Sequence, residues 1–331
     1  MSYRKVLIRR DFLGLLAGAL CASTMGVRAQ AQRAEYEAFV DEMAVKHGVD
    51  RAQLKRVFAS IKPQPSIVRA MDAPSTALPW HRFRKGHVDA VHIHGGEKFW
   101  MRHAATLTRA TREFGVPAEF ICATIGIETH YGGYTGGFRI LDALATLAFD
   151  YPKRAEFFRG ELEQFVLMGK ETGLDLTALR GSYAGAMGMP QFLPSSFRKF
   201  AVDFDGDGRR DLWTSVPDVI GSVANYYKQH EWQPGGMVTV QARVKGTPPA
   251  ELTDDITPKT PIAEFRKLGI EPVSPVPDDA LAALLPLETE SGMQYWLGLK
   301  NFYVNTRYNR STNYAMAVYE IAQGIKARVK M

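Results

Sequence analysis

The chain is poor in cysteine, with two in 331 residues. Cys21 falls in an N-terminal stretch that reads as removable, so the mature chain is expected to carry no intramolecular disulfide. Cys122, between Ile121 and Ala123, reads as a small buried hydrophobe. There is no second long apolar run: the one from Phe12 to Val27 falls short of the ~20 residues that cross a bilayer as a helix, so no stable membrane insertion is expected. Net charge is also small. Of the formal +6, residues 1–29 hold five of the 41 basic and one of the 35 acidic side chains, which leaves +2 and no basic footprint for nucleic acid. Internal repeats and low-complexity tracts are missing too. His87, His92, His94 and His103 have neither a cysteine partner nor the spacing of a zinc site.

What remains is an ordinary globular composition, 46% hydrophobic and 23% charged, enough for one large domain or a few modest ones. Arg4, Lys5, Arg9 and Arg10 precede the apolar run, and Val27-Arg28-Ala29 offers a small-x-small cleavage site, so residues 1–29 read as an export signal. Arg9-Arg10-Asp11-Phe12-Leu13 resembles a twin-arginine signal, although paired arginines also occur in ordinary leaders and the route stays open. Leu20 stands where a lipoprotein signal wants a small residue, which argues against lipidation of Cys21.

Helical spacing is expected over residues 33–60, followed by an extended connection through Pro63, Pro65, Pro74 and Pro79. Trp100, Ala104, Leu107, Thr111 and Phe114 keep helical spacing up to Gly115, and Pro117 opens the next helix. Val238, Val240, Ala242 and Val244 alternate with Thr239, Gln241 and Arg243, the period of a half-buried strand. A proline-rich segment from Pro248 to Pro277 holds a short helical piece near Ala263 to Leu268, and helix returns from Asn313 to about Lys326. This is a mainly α chain of α+β class with a small β-containing insert.

In the helix that opens at Pro117, Ile121, Ile125 and Glu128 fall at i, i+4 and i+7, so the carboxylate shares a face with two large apolar side chains. Gly132 and Gly133 place Glu128 near the helix C-terminus, where the negative end of the dipole adds to desolvation. Both raise its pKa, as a general acid near neutral pH requires. Spacing alone favours an exposed glutamate at a frayed helix end.

The surrounding blocks are more specific. They are Gly126-Ile127-Glu128-Thr129-His130-Tyr131-Gly132, Gly136-Gly137, Ile140 to Leu147, Tyr151-Pro152-Lys153-Arg154, Gly181 to Gly188, Pro190 to Ser196 and Arg307-Tyr308-Asn309. In this order they closely resemble the lytic murein transglycosylase B family across most of residues 80–325. The resemblance implies a lysozyme-like helical core with a helical flank and a small β-containing domain. It divides the chain into an export signal (1–29), a helical segment and linker (30–79), a catalytic core (80–235), a small β-containing domain (236–300), and a strand and helix completing the cleft (301–331). It implies a periplasmic, monomeric enzyme whose partner is the peptidoglycan glycan strand, with no cofactor for catalysis.

It further implies cleavage of the β-1,4 bond between N-acetylmuramic acid and N-acetylglucosamine without water, with Glu128 as acid and then base and a 1,6-anhydro product. One protein carboxylate suffices when the substrate itself stabilises the developing charge. No partner acid stands beside Glu128 in sequence, though Asp142 or Glu156 are candidates to fold close. Ser182 and Asn309 match positions near the acetamido and C6 groups, and Gln191, Tyr226, Tyr308 and Tyr314 match sugar contacts. Lys153 and Arg154 are placed to pair with lactyl or peptide carboxylates, and Phe157 stands where the family often has tyrosine. A hydrolytic muramidase and a non-catalytic peptidoglycan-binding protein are the alternatives.

Asp203-Phe204-Asp205-Gly206-Asp207-Gly208-Arg209 reproduces the first half of an EF-hand loop, with acids at positions 1, 3 and 5, glycine at 6 and a carbonyl ligand expected from Arg209. Position 12 is Thr214, not glutamate. The resemblance suggests a longer loop closed by Asp218, holding a structural calcium ion.

Overall fold

The computed structural model describes residues 30, 32–72 and 78–329. The export signal (1–29), Pro74 and the last two residues lie outside the described residues.

The helical stretch expected over 33–60 is two helices. Residues 32–47 form α1 and Arg51–Ala59 form α2. Gly48 takes φ 58° between them, and the Asp50 carboxylate starts α2 by accepting the Gln53 N–H at 2.8 Å. The proline-rich connection is not wholly extended either, because Pro65 begins α3 (Pro65–Met71) at a position where no N–H is required. Then come α4 (Trp80–His87), α5 (Ala90–Arg102) and α6 (Ala104–Phe114). The helical pattern that runs unbroken from Trp100 in sequence is interrupted at His103, whose φ of −116° ends one helix and starts the next.

The central element is α7 (Ala118–Thr129), in which Ala118 to Gly126 are all buried. It packs against α5, α6, α11 (Val216–Gln229) and α14 (Thr312–Arg328). A helix apolar all round belongs in a core, and each fully buried isoleucine such as Ile121 or Ile125 is worth about 1.5–3 kcal/mol of burial. Around this centre lie α8 (Ile140–Asp150), α9 (Ala155–Thr172) and α10 (Pro194–Phe200). A two-residue ribbon, β1 (Phe138–Arg139) against β2 (Arg180–Gly181), joins the start of α8 to the loop that follows α9.

The remaining strands, β3 (Thr239–Val244), β4 (Thr260–Pro261), β5 (Ile270–Pro272), β6 (Leu281–Thr289) and β7 (Gly292–Gly298), form an antiparallel sheet in the order β4-β6-β7-β3-β5. Alternate residues of a strand face opposite ways. On β6, Ala282 and Leu284 join a small core with Val240, Ile262, Phe265 and Leu297, while Ala283, Leu285 and Leu287 join the main helical core. Ile262 and Phe265 come from α12 (Ile262–Lys267), the helical piece legible within the proline-rich segment. After the sheet, the chain returns as α13 (Lys300–Tyr308) and α14. The strand expected within residues 301–331 is not found among the described residues, which there form helices only.

Candidate active site

Glu128 sits in the last turn of α7, which ends because His130 and Tyr131 adopt left-handed backbone at φ 50° and 62°. Two adjacent non-glycine residues in that region cost of order 1–3 kcal/mol each and persist only where packing holds them. Tyr131 supplies the hold: its hydroxyl donates to the His92 carbonyl at 2.5 Å, and its ring fills space left by three glycines. A Cβ on Gly126 would lie 2.4 Å from the Tyr131 hydroxyl oxygen, and one on Gly95 2.5 Å from its ring. Gly96 meets the same side chain.

The Glu128 carboxyl is half-buried, and Tyr314 on α14 donates to its Oε1 at 2.6 Å. Burial raises its pKa from 4.5 to about 7, against the opposing pull of the Tyr314 hydrogen bond. No second carboxylate and no cation among the described residues shifts it. Of the acids considered as partners, Asp142 is committed elsewhere, accepting from Arg139 at 2.5 Å and from the Lys62 N–H at 2.9 Å, and Glu156 is exposed.

An aromatic cluster backs this carboxyl. Tyr308 lies nearly parallel to Tyr314 at 6.3 Å and 4.7 Å from Tyr226, with Phe192 and Tyr227 behind. The phenols are tied to the fold: Tyr308 donates to the Pro190 carbonyl and Tyr226 to the Arg307 carbonyl, each at 2.6 Å, and Tyr227 pairs with Thr124 at 2.7 Å. Burial first, then proximity to Glu128, pushes the Tyr308 and Tyr314 phenols well above their ordinary pKa, so both stay protonated donors. Tyr226 is almost fully buried, 6% exposed, with its hydroxyl already engaged.

The segment 182–192 is fastened beside the end of α7. Thr129 donates to the Met189 carbonyl at 2.8 Å and accepts the Gly132 N–H at 3.0 Å, while the Gln191 amide donates to the carbonyls of Thr135 and Gly188. Ser182 Oγ accepts the N–H groups of Ala184 and Ala186, leaving its hydroxyl hydrogen free to donate. The Asn309 side chain follows Tyr308 and has no hydrogen bond within the protein among the described residues. Glu128, Tyr314, Tyr308 and Tyr226 thus form one cluster, which meets the segment carrying Gln191 through the Pro190 carbonyl. Lys153 and Arg154 lie outside it: Lys153 pairs with Asp72 at 2.6 Å, and Arg154 lies over the rings of Phe157 and Phe158 at 4.4 and 5.0 Å.

Away from this site, the acidic loop folds around its own carboxylates. Ligand oxygens of Asp203, Asp205 and Asp218 lie within 4.8 Å of one another. Asp218 is fully buried and accepts three backbone N–H groups, from Phe204, Asp205 and Asp211, yet burial still raises its pKa. A buried carboxylate beside two others, with no cationic side chain bonded to it, matches a hard cation held by oxygen ligands. The Asp207 carboxylate accepts the Arg209 N–H at 2.8 Å and stands outside that trio. Phe204 anchors the loop beneath the Arg109 guanidinium, 3.8 Å above its ring.

Sequence reasoning missed Thr129, Met189 and the Thr124–Tyr227 pair, whose roles depend on long-range contacts. The glycines inside helices, Gly95 and Gly96 in α5 and Gly126 in α7, are the local signal for the Tyr131 socket.

A half-buried carboxyl held by a phenol beside an aromatic wall, on a lysozyme-like helical core, is the setting of an enzyme that cleaves glycosidic bonds. The chain matches the transglycosylase SLT domain family over residues 31–323 and belongs to it. It is 45% identical over 303 residues to the membrane-bound lytic murein transglycosylase B of Escherichia coli K12, covering 88% of this chain and 83% of that protein. Its fold is similar to the soluble lytic transglycosylase SltB1 of Pseudomonas aeruginosa, with a TM-score of 0.84, 43% identity and coverage of 89% and 100%. It is also similar to the Escherichia coli lytic transglycosylase Slt35 in complex with calcium, with a TM-score of 0.81, 44% identity and coverage of 89% and 94%.

Proposed function

We propose that Glu128 performs both proton transfers of a lytic transglycosylase that cuts the β-1,4 bond between N-acetylmuramic acid and N-acetylglucosamine in peptidoglycan. The chain is a lytic transglycosylase acting on peptidoglycan. The observation that carries the residue assignment is a half-buried Glu128 with its pKa near 7 and no second acid acting on it. At neutral pH such a group is available in both protonation states, which a residue serving first as acid and then as base requires.

Protonated Glu128 gives its proton to the glycosidic oxygen as the muramic C1–O bond breaks. The leaving sugar departs with that proton as a hydroxyl. The muramic C6 oxygen then attacks C1, and its proton passes to the Glu128 carboxylate, closing a 1,6-anhydro ring and restoring the acid. Tyr314 holds the carboxyl in place through Oε1. The free hydroxyl hydrogen of Ser182 and the uncommitted amide of Asn309 suit the acetamido and C6 groups. Gln191 and Tyr308 border the sugar, and Tyr226 acts mainly by supporting Tyr308.

Calcium fits the acidic loop, with Asp203, Asp205 and Asp218 as the gathered carboxylates, Asp207 beside them and the Arg209 carbonyl as a further ligand. When bound, it would fix the loop and take no part in bond cleavage. Residues 80–235 form the catalytic core, residues 236–300 the small sheet domain, and α13 and α14 bring Tyr308 and Tyr314 back to Glu128. We read residues 1–29 as an export leader that sends the chain to the periplasm, and take the enzyme to act there as a monomer; among the described residues no helix is long and apolar enough to cross a membrane.

Mass spectrometry of digested cell wall tests the reaction. Products lighter by one water than hydrolysed muropeptides support it, and hydrolysed ends alone assign a muramidase instead.

A further inference from the structure

Tyr319, Gln323 and Lys326 fall at i, i+4 and i+7 on α14, so they share one face of that helix. That face borders a crevice of about 310 Å³ between the helical core and the sheet domain. Phe120 lines it from the first turn of α7, Trp232 from the loop after α11, and Met237 from the approach to β3. Pro117, which caps the start of α7, lines it as well. The crevice and Glu128 therefore lie toward opposite ends of one helix, about 16 Å apart along its axis. This is a site separate from the catalytic cleft.

Its lining has the chemistry that receives an uncharged sugar. A pyranose presents an apolar C–H face, which suits aromatic rings. Phe120 and Trp232 pack here at 4.9 Å, and Tyr319 stands edge-on to Trp296 at 6.3 Å. Sugar hydroxyls and acetamido groups need donors and acceptors that the fold has not used. The exposed Gln323 amide and the half-buried Tyr319 hydroxyl make no hydrogen bond among the described residues. Glu119, 5% exposed, is neutralised by Lys326 at 3.0 Å, so the lining carries no net charge to select an ionic ligand. Two indole donors flank the crevice unmet: Nε1 of Trp232 and Nε1 of Trp296 are buried without an acceptor among the described residues, where folded chains pair nearly all such groups. The volume is at the lower end of the range that small-molecule sites occupy, room for one N-acetylated sugar.

We infer that this crevice binds an N-acetylated sugar of a second glycan strand, stacked against Tyr319 and Trp232 and hydrogen-bonded by Gln323, while the cleft holds the strand being cut. The inference rests on the peptidoglycan reading for the identity of the sugar. With both sites filled, the enzyme stays on the wall between one cut and the next.

The test uses the full mature chain silenced by Glu128→Gln and titrated with the neutral tetramer of N-acetylglucosamine. Nuclear magnetic resonance follows the Trp232 indole N–H for the crevice and the Gly132 and Gln191 backbone N–H groups for the cleft. The expected result is two separate binding curves. Tyr319→Ala and Gln323→Ala each weaken the Trp232 curve roughly threefold to tenfold and leave the cleft curve in place. Gln323→Ala guards against misfolding, because that side chain is exposed and bonds to nothing in the fold. With Glu128 restored, the same two variants cleave a short soluble glycan at the parent rate. A Trp232 signal that stays still while the cleft saturates, or one that follows the cleft curve and is unchanged in Gln323→Ala, would overturn the crevice assignment and leave the catalytic reading standing. A tetramer that moves neither set of signals would overturn both.

Discussion

Tyr314 lies 186 residues beyond Glu128 in the chain, yet its phenol donates to Glu128 Oε1 at 2.6 Å and is, among the described residues, the one hydrogen bond acting on the carboxyl's ionisation. The bond favours the charged carboxylate, while burial favours the neutral acid and prevails.

Replacing Tyr314 with phenylalanine removes the only influence among the described residues that lowers the Glu128 pKa. The acid must be protonated to start the reaction, so the rate falls as pH rises through that pKa, and in Tyr314→Phe the fall shifts to higher pH. The maximal rate drops roughly tenfold to a hundredfold from lost positioning. A pH–rate profile in which the alkaline limb does not move would remove Tyr314 from control of the acid.

Glu128→Gln abolishes cleavage and changes stability in a pH-dependent way. The folded-state pKa, about 7, lies above the ordinary 4.5, so the glutamate's contribution is intact below pH 4.5 and lost as pH rises through 7. Glutamine does not ionise. Relative to the parent, the variant therefore gains about 1–3 kcal/mol between pH 5 and pH 8, measured by urea unfolding. An offset identical at both pH values would mean that the carboxyl is not desolvated.

Calcium raises the melting temperature by about 5–10 °C at a hundredfold excess over its dissociation constant. Asp218→Asn abolishes the shift, because it removes the buried charge from the trio. Asp207→Ala reduces it less, since that carboxylate is turned to the Arg209 N–H. Calorimetry with and without chelator reads both, and an unchanged melting point in the parent excludes the ion.

Two glycine-to-alanine substitutions should act in opposite directions. Gly126→Ala drives a methyl group into Tyr131 and costs about 1–3 kcal/mol. Gly160→Ala, on α9 with nothing within 4 Å of the added methyl group, stabilises by about 0.4–1 kcal/mol through the unfolded state. Chemical denaturation separates them; destabilisation by both would point to a general intolerance of side chains at these glycines.

The sequence by itself determined what depends on short-range pattern. The apolar period of α7 placed Glu128 on a face with Ile121 and Ile125, the alternation at 238–244 marked β3, and the acidic spacing from Asp203 to Arg209 marked the loop. Even locally it read two helices as one at Gly48 and again at His103, because apolar spacing continues across both breaks while the backbone turns. Tertiary structure alone decided the rest. It brought Tyr314 and Tyr308 to Glu128, fastened Met189 through Thr129, and sent Asp142 to Arg139 and Lys62 instead of to catalysis. The physical reason is that desolvation and hydrogen-bond partnership belong to the space around a side chain: the chain can name an acid, but the neighbours that set its proton affinity arrive from segments far away along it.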